Sequence, residues 1–196
     1  MKNFKKVICI IPARGGSKGI KLKNLKLVCG NPLISYPIKA AIKSNVCDKI
    51  IVSTDSKKIA IAAKKFGAEV PFLRKKRFAG DRVTTEMTLQ NALKDCEEFY
   101  QTKFDICVFL TCTNIFRQAK WITEAVNILK KNKKIDSAFS VHKFYKHIWH
   151  EKNNKLKKVL PWMNSYTSRQ VAPSLYREDT GLASATLSKF WRNGKR

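Results

Sequence analysis

Apolar positions along this chain follow two alternating rhythms. Three short runs rich in β-branched residues, VICII (Val7–Ile11), KIIVST (Lys49–Thr54) and DICVFL (Asp105–Leu110), have the length and composition of strands buried on both faces. Between them apolar residues recur at helical spacing. Leu33, Ile34, Ile38, Ala41 and Ile42 follow Asn31-Pro32, which reads as an N-cap and first helical position, with Pro37 drawing the regular part toward itself. Ile59, Ala62, Ala63 and Phe66 follow the capping residues Asp55 and Ser56, and Gly67 stops that helix. Leu89, Ala92, Leu93 and Cys96 mark a helix over 84–99, and Ile122, Ala125, Val126 and Leu129 one over 119–131. Glu69–Leu73 reads as a short strand and Asp136–Val141 as a fourth strong one. Strands alternating with helices of this length predict an α/β fold, with right-handed crossovers and a mostly parallel sheet flanked by helices. No repeat or low-complexity linker divides residues 1–196, so the pattern predicts a single domain.

On such a sheet, ligands bind at the carboxyl ends of the strands. That places three stretches on one rim: residues 14–24, Asp55, and residues 111–117. The first carries the chemistry. After Pro12 come Ala13, Arg14, Gly15, Gly16, Ser17, Lys18, Gly19, Lys21, Lys23 and Asn24. Glycines at 15, 16 and 19 predict sharp turns and close approach to a ligand. Main-chain N–H groups in such a loop form an anion cradle, and the lysines and Arg14 add positive charge. The Walker spacing is absent, since Gly19 is followed by Ile20, and adjacent Gly15-Gly16 breaks the dinucleotide fingerprint. Arg14 and Lys23 are the candidate catalytic cations, Arg as a bidentate phosphate ligand and Lys as a point charge. Ser17 and Asn24 are placed to hydrogen-bond a nucleotide.

Charge changes the picture in one respect. There are 40 basic residues against 14 acidic, a net charge of +26, and only nine of the 40 are arginine. Such a balance attracts polyanions. The lysines are scattered in doublets, and dedicated nucleic-acid binders concentrate charge on one face, so the pattern argues against a nucleic-acid partner. Arg74-Lys75-Lys76-Arg77 reads as a solvated basic loop. Six cysteines show no C-x-x-C pair; Cys9 and Cys107 lie in strand-like runs as buried small hydrophobes, and reduced thiols are expected. No apolar stretch reaches the roughly 20 residues of a membrane span. The run after Lys2, Lys5 and Lys6 is too short for a signal peptide, which points to the cytoplasm. His142, His147 and His150 match no metal-ligand spacing. Phe144, Tyr145, Trp149 and Trp162, in a stretch where the pattern loosens, read as a partner interface.

The string I-P-A-R-G-G-S-K-G-I-K-L-K-N resembles the opening motif of the acylneuraminate cytidylyltransferases, roughly I-P-A-R-x-x-S-K-G-(I/L)-x-x-K-N. Ile11 to Arg14, Ser17 to Ile20, Lys23 and Asn24 all fit. The resemblance implies a Rossmann-like fold of the nucleotide-diphospho-sugar transferase type. It implies a reaction joining CTP to an acidic nonulosonic sugar, with pyrophosphate released and Mg²⁺ as cofactor. It also implies a homodimer formed through a projecting segment, mapped to residues 143–168. Ala13, Gly15, Gly16, Ser17, Lys18 and Asn24 would then bind CTP, joined by Asp81 in the A-G-D element at 79–81.

Further along, K-I-I-V-S-T-D at 49–55 is similar to the family's second strand, and LTCTNIFR at 110–117 to its L-Q-P-T-S-P-L-R. Thr111, Thr113, Arg117 and the Arg169-Gln170 pair are implied to face the sugar. Thr111, Cys112, Asn114 and Ile115 depart from the pattern, which leaves the sugar open among sialic, legionaminic and pseudaminic types. The family's metal-binding aspartates are expected beyond Arg196, and without them the resemblance implies crippled catalysis. Two alternatives stand beside this reading: a CMP-Kdo-type synthetase, and a catalytically impaired, basic nucleic-acid-binding relative.

Overall fold

The computed structural model describes residues 6–166 and 168–196; Lys2 and Lys5 lie outside them. The first half of the chain forms β1 (Val7–Pro12), two-residue strands β2 (Leu27–Val28) and β3 (Asn31–Pro32), α1 (Ser35–Ser44), β4 (Lys49–Ser53), α2 (Lys57–Lys65) and α3 (Thr85–Phe99). Then come β5 (Ile106–Phe109), α4 (Ala119–Lys131), β6 (Ser137–Phe139), β7 (Val141–Phe144), β8 (Trp149–Lys152), β9 (Lys155–Lys158), β10 (Leu175–Glu178), β11 (Ser184–Leu187) and α5 (Ser188–Arg192). The chain divides into two compact units, one comprising residues up to Ser140 with Thr180–Arg196, the other Val141–Asp179.

The first unit is built on a five-stranded sheet in the order β4-β1-β5-β11-β6. β1 pairs in parallel with β4 and β5. β11 runs antiparallel to both β5 and β6, so four of the five strands share one direction. The VICII run behaves as its composition demands. Val7, Cys9, Ile11 and Ala13 pack into a core with Ile38 and Ala41 of α1, Ile59 and Ala63 of α2, and Ile122, Val126 and Leu129 of α4. Ile8 and Ile10 point to the other face, against Leu89, Leu93 and Cys96 of α3 and Trp191 of α5. Both isoleucines are wholly buried, and truncating either to Ala would cost about 2–5 kcal/mol. Helices thus cover both faces, which leaves the carboxyl edge of the sheet as the place where loops gather.

The sequence expectations for α2, α3, α4 and the three strong strands hold to within one or two residues. Ser56 caps α2, accepting from the Ile59 N–H, and Thr84 caps α3, accepting from the Met87 N–H. Three readings need correction. Asn31-Pro32 does not start a helix: Cys29 and Gly30 both take left-handed φ, folding Leu27–Val28 back on Asn31–Pro32 as a tight ribbon, and α1 begins at Ser35. Residues 69–73 form no strand: Glu69 makes a single bridge to Ile51, and Pro71 has no N–H to continue the ladder. The stretch 136–141 yields β6 only as far as Phe139, because β7 belongs to a different sheet.

In the second unit, β7 and β10 form an antiparallel ribbon, and β8 and β9 form a hairpin. Asn153 and Asn154, both at positive φ, make the two-residue turn that such hairpins favour. Its register sets His150 opposite Lys157 and Lys152 opposite Lys155 on one exposed face. The other face carries Trp149 and Leu156, with the Lys158 ammonium over the Trp149 ring. Among the described residues no helix is long and apolar enough to cross a membrane.

Candidate active site

Where β1 ends at Pro12 the chain turns across the carboxyl edge of the sheet. The Ala13 N–H donates to the Ser53 carbonyl at the end of β4 (2.9 Å), and the Gly15 N–H donates to Asp55 Oδ1 (2.8 Å). Asp55 therefore clamps the loop rather than facing a ligand. Asn24 is buried and its side-chain amide donates to the Arg14 carbonyl (3.1 Å), which fixes the far end of the loop. The glycines play unequal parts. A Cβ on Gly15 would lie 3.0 Å from Ser56 Cβ, a tight approach that Ser56 would have to yield to. Gly19 lies in a bend, as expected, but neither it nor Gly16 takes a positive φ, and no atom lies within 4 Å of a would-be Cβ at either.

This loop forms one wall of two adjoining cavities. The larger, about 510 Å³, is lined by Arg14, Ser17, Lys18, Gly19, Lys23 and Asn24 on one side and by Thr111, Cys112 and Thr113 on the other. The smaller, about 280 Å³, lies between Arg14 and the segment leading into α3, with Arg74, Phe78, Ala79, Asp81, Val83, Thr84 and Thr88 in its walls. Pro12, Arg14 and Thr111 line both, so Arg14 stands at the junction. The N-terminal turn of α3 opens into the smaller cavity and adds the positive end of a helix dipole to the nearby guanidinium groups.

Arg74 was read from sequence as part of a solvated basic loop. It is instead buried in the cleft wall. Its Nε donates to Ser53 Oγ (3.0 Å), another guanidinium nitrogen donates to the Ser53 carbonyl, and its N–H donates to the Thr54 carbonyl (2.7 Å). Burial pulls its pKa down to about 10, with Asp55 opposing and Arg14 adding to the shift; it stays charged at neutral pH. Only the three-dimensional path of residues 69–74 beside β4 separates it from Lys75 and Lys76, which are exposed.

Arg117 is also buried. It donates through Nε to the Leu182 carbonyl and through Nη2 to the carbonyls of Thr111 and Gly181 (both 2.7 Å). The Thr111 N–H and hydroxyl donate to that same Gly181 carbonyl, at 2.9 and 3.2 Å. These bonds fasten the loop after β5 to the segment entering β11 and hold Thr111 in the wall of both cavities. Gly181 fits only as glycine, since a Cβ there would sit 2.6 Å from Thr111 Cγ2. Arg169 and Gln170 belong to the second unit, where the Arg169 guanidinium lies 5.3 Å from the centre of the Tyr145 ring.

Among the described residues Asp81 is the one carboxylate lining either cavity, and both of its oxygens are engaged: Oδ1 with Arg14 Nη1 (3.0 Å) and Oδ2 with Lys18 Nζ (2.8 Å). The Lys18 hydrogen bond, ahead of the charges of Lys18 and Arg14, holds its carboxyl below the usual range. Among the described residues no three His, Cys, Asp or Glu side chains gather into a metal site. Asp81, the carboxylate of the cleft, is already shared between Arg14 and Lys18, so the described residues offer no protein-held metal site. All six cysteines are free thiols; burial raises Cys112, in the wall of the larger cavity, to about 12, which makes it a poor nucleophile.

A sequence profile of the cytidylyltransferase family matches residues 8–193. A CMP-N,N'-diacetyllegionaminic acid synthase of Legionella pneumophila is 40% identical over 125 residues, 64% of this chain and 53% of the relative. A pseudaminic acid cytidylyltransferase of Campylobacter jejuni is 39% identical over 124 residues, 61% of this chain and 52% of the relative. An N-acylneuraminate cytidylyltransferase of Escherichia coli is 35% identical over 136 residues, 69% of this chain and 31% of the relative. The chain spans about half the length of the first two of these. Among solved structures, a CMP:2-keto-3-deoxy-manno-octonic acid synthetase complexed with CTP superposes with a TM-score of 0.71 over 96% of this chain and 77% of that one. A 4-diphosphocytidyl-2C-methyl-D-erythritol synthase from Anaerococcus prevotii gives 0.67 over 96% and 73%. Both are 15% identical, a likeness of fold alone. With its profile match running from the first strand through the last helix, and a basic cleft at the sheet's carboxyl edge, the chain belongs to the cytidylyltransferase family.

Proposed function

We propose that this protein joins CTP to an acidic nonulosonic sugar of the sialic, legionaminic or pseudaminic type, forming a CMP-sugar and releasing pyrophosphate. The observation that carries this reading is the junction at Arg14. Lys18 and Lys23 line the larger cavity with it and Arg74 the smaller, so an extended anion laid across the junction meets four cations. A triphosphate has the right chemistry. In the smaller cavity, the side chains of Phe78, Ala79 and Val83 offer apolar surface for a base. The names of the relatives supply the sugar class. Behind the CMP-Kdo alternative stands a neighbour alike in fold alone.

In the reaction a sugar hydroxyl attacks the α-phosphorus. A new P–O bond forms, the bond to the β-phosphate breaks, the electron pair leaves with pyrophosphate, and the hydroxyl proton is released to solvent. Such transfers depend mostly on positioning and on cations placed where charge develops. Arg14, Lys18 and Lys23 neutralise the leaving group, and Thr113, in the wall of the larger cavity, offers its hydroxyl to the acceptor. Mg²⁺ accompanying the triphosphate would supply further neutralisation of the charge that develops on the leaving group. The exposed Ile148, Trp149, Leu156, Val159 and Tyr166 of the second unit support a homodimer through residues 143–168, and a cytoplasmic location accords with the free thiols.

The test is pyrophosphate release from CTP with a panel of sugar acids, alongside calorimetric CTP binding. Arg14→Ala is expected to lower release by about 10²–10³-fold, the usual cost of removing one donor aimed at developing charge. Release unaltered by that substitution, or supported by Kdo and by no nonulosonic acid, would overturn the proposal.

A further inference from the structure

One carboxylate holds two of the cations assigned above to phosphate. Asp81 sets one oxygen on Arg14 and the other on Lys18, at 3.0 and 2.8 Å. That is the arrangement two oxygens of a phosphate group would make with the same side chains. Asp81 sits on the short segment between residues 76–78 and α3, where the neighbouring main chain is held by local turns: the Ala79 N–H donates to Lys76 O and the Val83 N–H to Gly80 O. The carboxylate is half-exposed, so it can leave the two cations without crossing packed core.

We infer that Asp81 is a tethered stand-in for phosphate: it occupies the Arg14–Lys18 pair in the ligand-free cleft, is displaced by the incoming polyphosphate, and returns as pyrophosphate departs. The inference rests on the phosphate reading of the cleft. Its logic is competition. A charge fixed on a short tether acts at a high effective concentration, and it lowers the apparent affinity of any ligand for the same cations by the fraction of time it is bound. It discriminates too. A monophosphate offers little more than the carboxylate already in place, whereas a di- or triphosphate reaches Lys23 as well and wins the exchange. Asp81 in this role is a specificity-determining residue that acts by vacating the site.

The experiment is calorimetry of inorganic pyrophosphate binding to the full chain at low ionic strength. Asp81→Asn keeps the size and removes the charge; it is expected to tighten pyrophosphate by about 3- to 10-fold, as freeing a mostly occupied pair requires. Asp81→Ser, which guards against a folding defect peculiar to the amide, should give the same gain, and Asp81→Glu should stay within about 2-fold of the parent. Asp95→Asn removes an equal charge from α3 that pairs with neither cation, and should also change affinity by less than about 2-fold. Weakened or unaltered binding in Asp81→Asn would sink the inference, and so would an equal gain from Asp95→Asn. If pyrophosphate binds neither parent nor variant, the stand-in and the phosphate cradle fall together. If it binds and Asp81→Asn tightens it, yet no sugar acid supports turnover, the stand-in survives and the proposed reaction does not.

Discussion

Placing a methyl on Gly181 tests whether the wall shared by the two cavities is as tightly set as the geometry indicates. The added Cβ would lie 2.6 Å from Thr111 Cγ2, 2.9 Å from its Oγ1 and 3.3 Å from its Cβ. Carbon atoms rest at about 3.5–4.0 Å, so the two chains must separate by about 1 Å. Turning Thr111 gives little relief, because a β-branched side chain replaces one heavy atom with another. Its main chain cannot slide freely either, since Arg117 and the Gly181 carbonyl hold it. Overpacking of this kind costs about 1–3 kcal/mol. Taking about 2 kcal/mol for Gly181→Ala, a chain of this size should melt about 4–8 °C lower. Thr111→Ala deletes the two nearest atoms, so the double variant should recover most of the loss, with a coupling of about 1 kcal/mol or more in a double-mutant cycle. Thermal unfolding of the four proteins is the assay. A single variant within about 0.5 kcal/mol of the parent, or strict additivity in the cycle, would refute the reasoning.

Gly16 makes the opposite case: with open space at its Cβ position and no positive φ, Gly16→Ala should leave stability unchanged or raise it by about 0.4–1 kcal/mol. The same change at Gly19, which lines the larger cavity, would put a methyl in ligand space, and CTP affinity should drop at least about 10-fold; unchanged affinity would remove this loop from the site. Arg117→Lys keeps the charge but loses the fork that joins three carbonyls, and a loss of about 2 kcal/mol with a correspondingly lower melting temperature is expected. Lost activity at an unchanged melting temperature would assign Arg117 to the substrate instead. Glu97 is buried between Arg192, Lys103 and the Phe104 N–H; burial alone would raise its pKa, but those partners bring it below the ordinary value. Its contribution is therefore full above the unfolded carboxylate pKa of about 4.3 and is lost as pH falls through the depressed folded value. Glu97→Gln should cost about 3 kcal/mol at neutral pH, as a broken buried ion pair does, and flatten the acid limb of the stability profile; an unaltered limb would count against the pairing.

Much of the first unit was legible because single residues carried unambiguous signals. The VICII run announced two-sided burial, and the core divides its alternate residues between the two helix layers. Helix α4 matched residue for residue, since its apolar spacing has no competing turn residue. Strand β11 was missed for a physical reason. Ser184, Ala185 and Thr186 are small and half polar, suited to a slot between β5 and β6 under α4, and nothing in four such residues marks a strand until their partners exist. Arg74 was misread because its identity as a cleft residue depends on where Pro71 ends the pairing beside β4. The loop at 14–24 could be found from its residues, but the contacts of Asp81 could not: a carboxylate 67 positions after Arg14 carries no sign in sequence of which cations it will meet.

The β8–β9 hairpin has a consequence that reaches beyond its own fold. Lys152 opposite Lys155 sets like charges across the strands, and these repel when water alone separates them. Dissolved ions relieve that repulsion, so this ribbon should grow firmer as salt is added, while polyphosphate binding in the first unit should weaken over the same range. One molecule would then answer ionic strength in two opposite senses, and amide exchange measured at low and high salt would resolve the two responses separately.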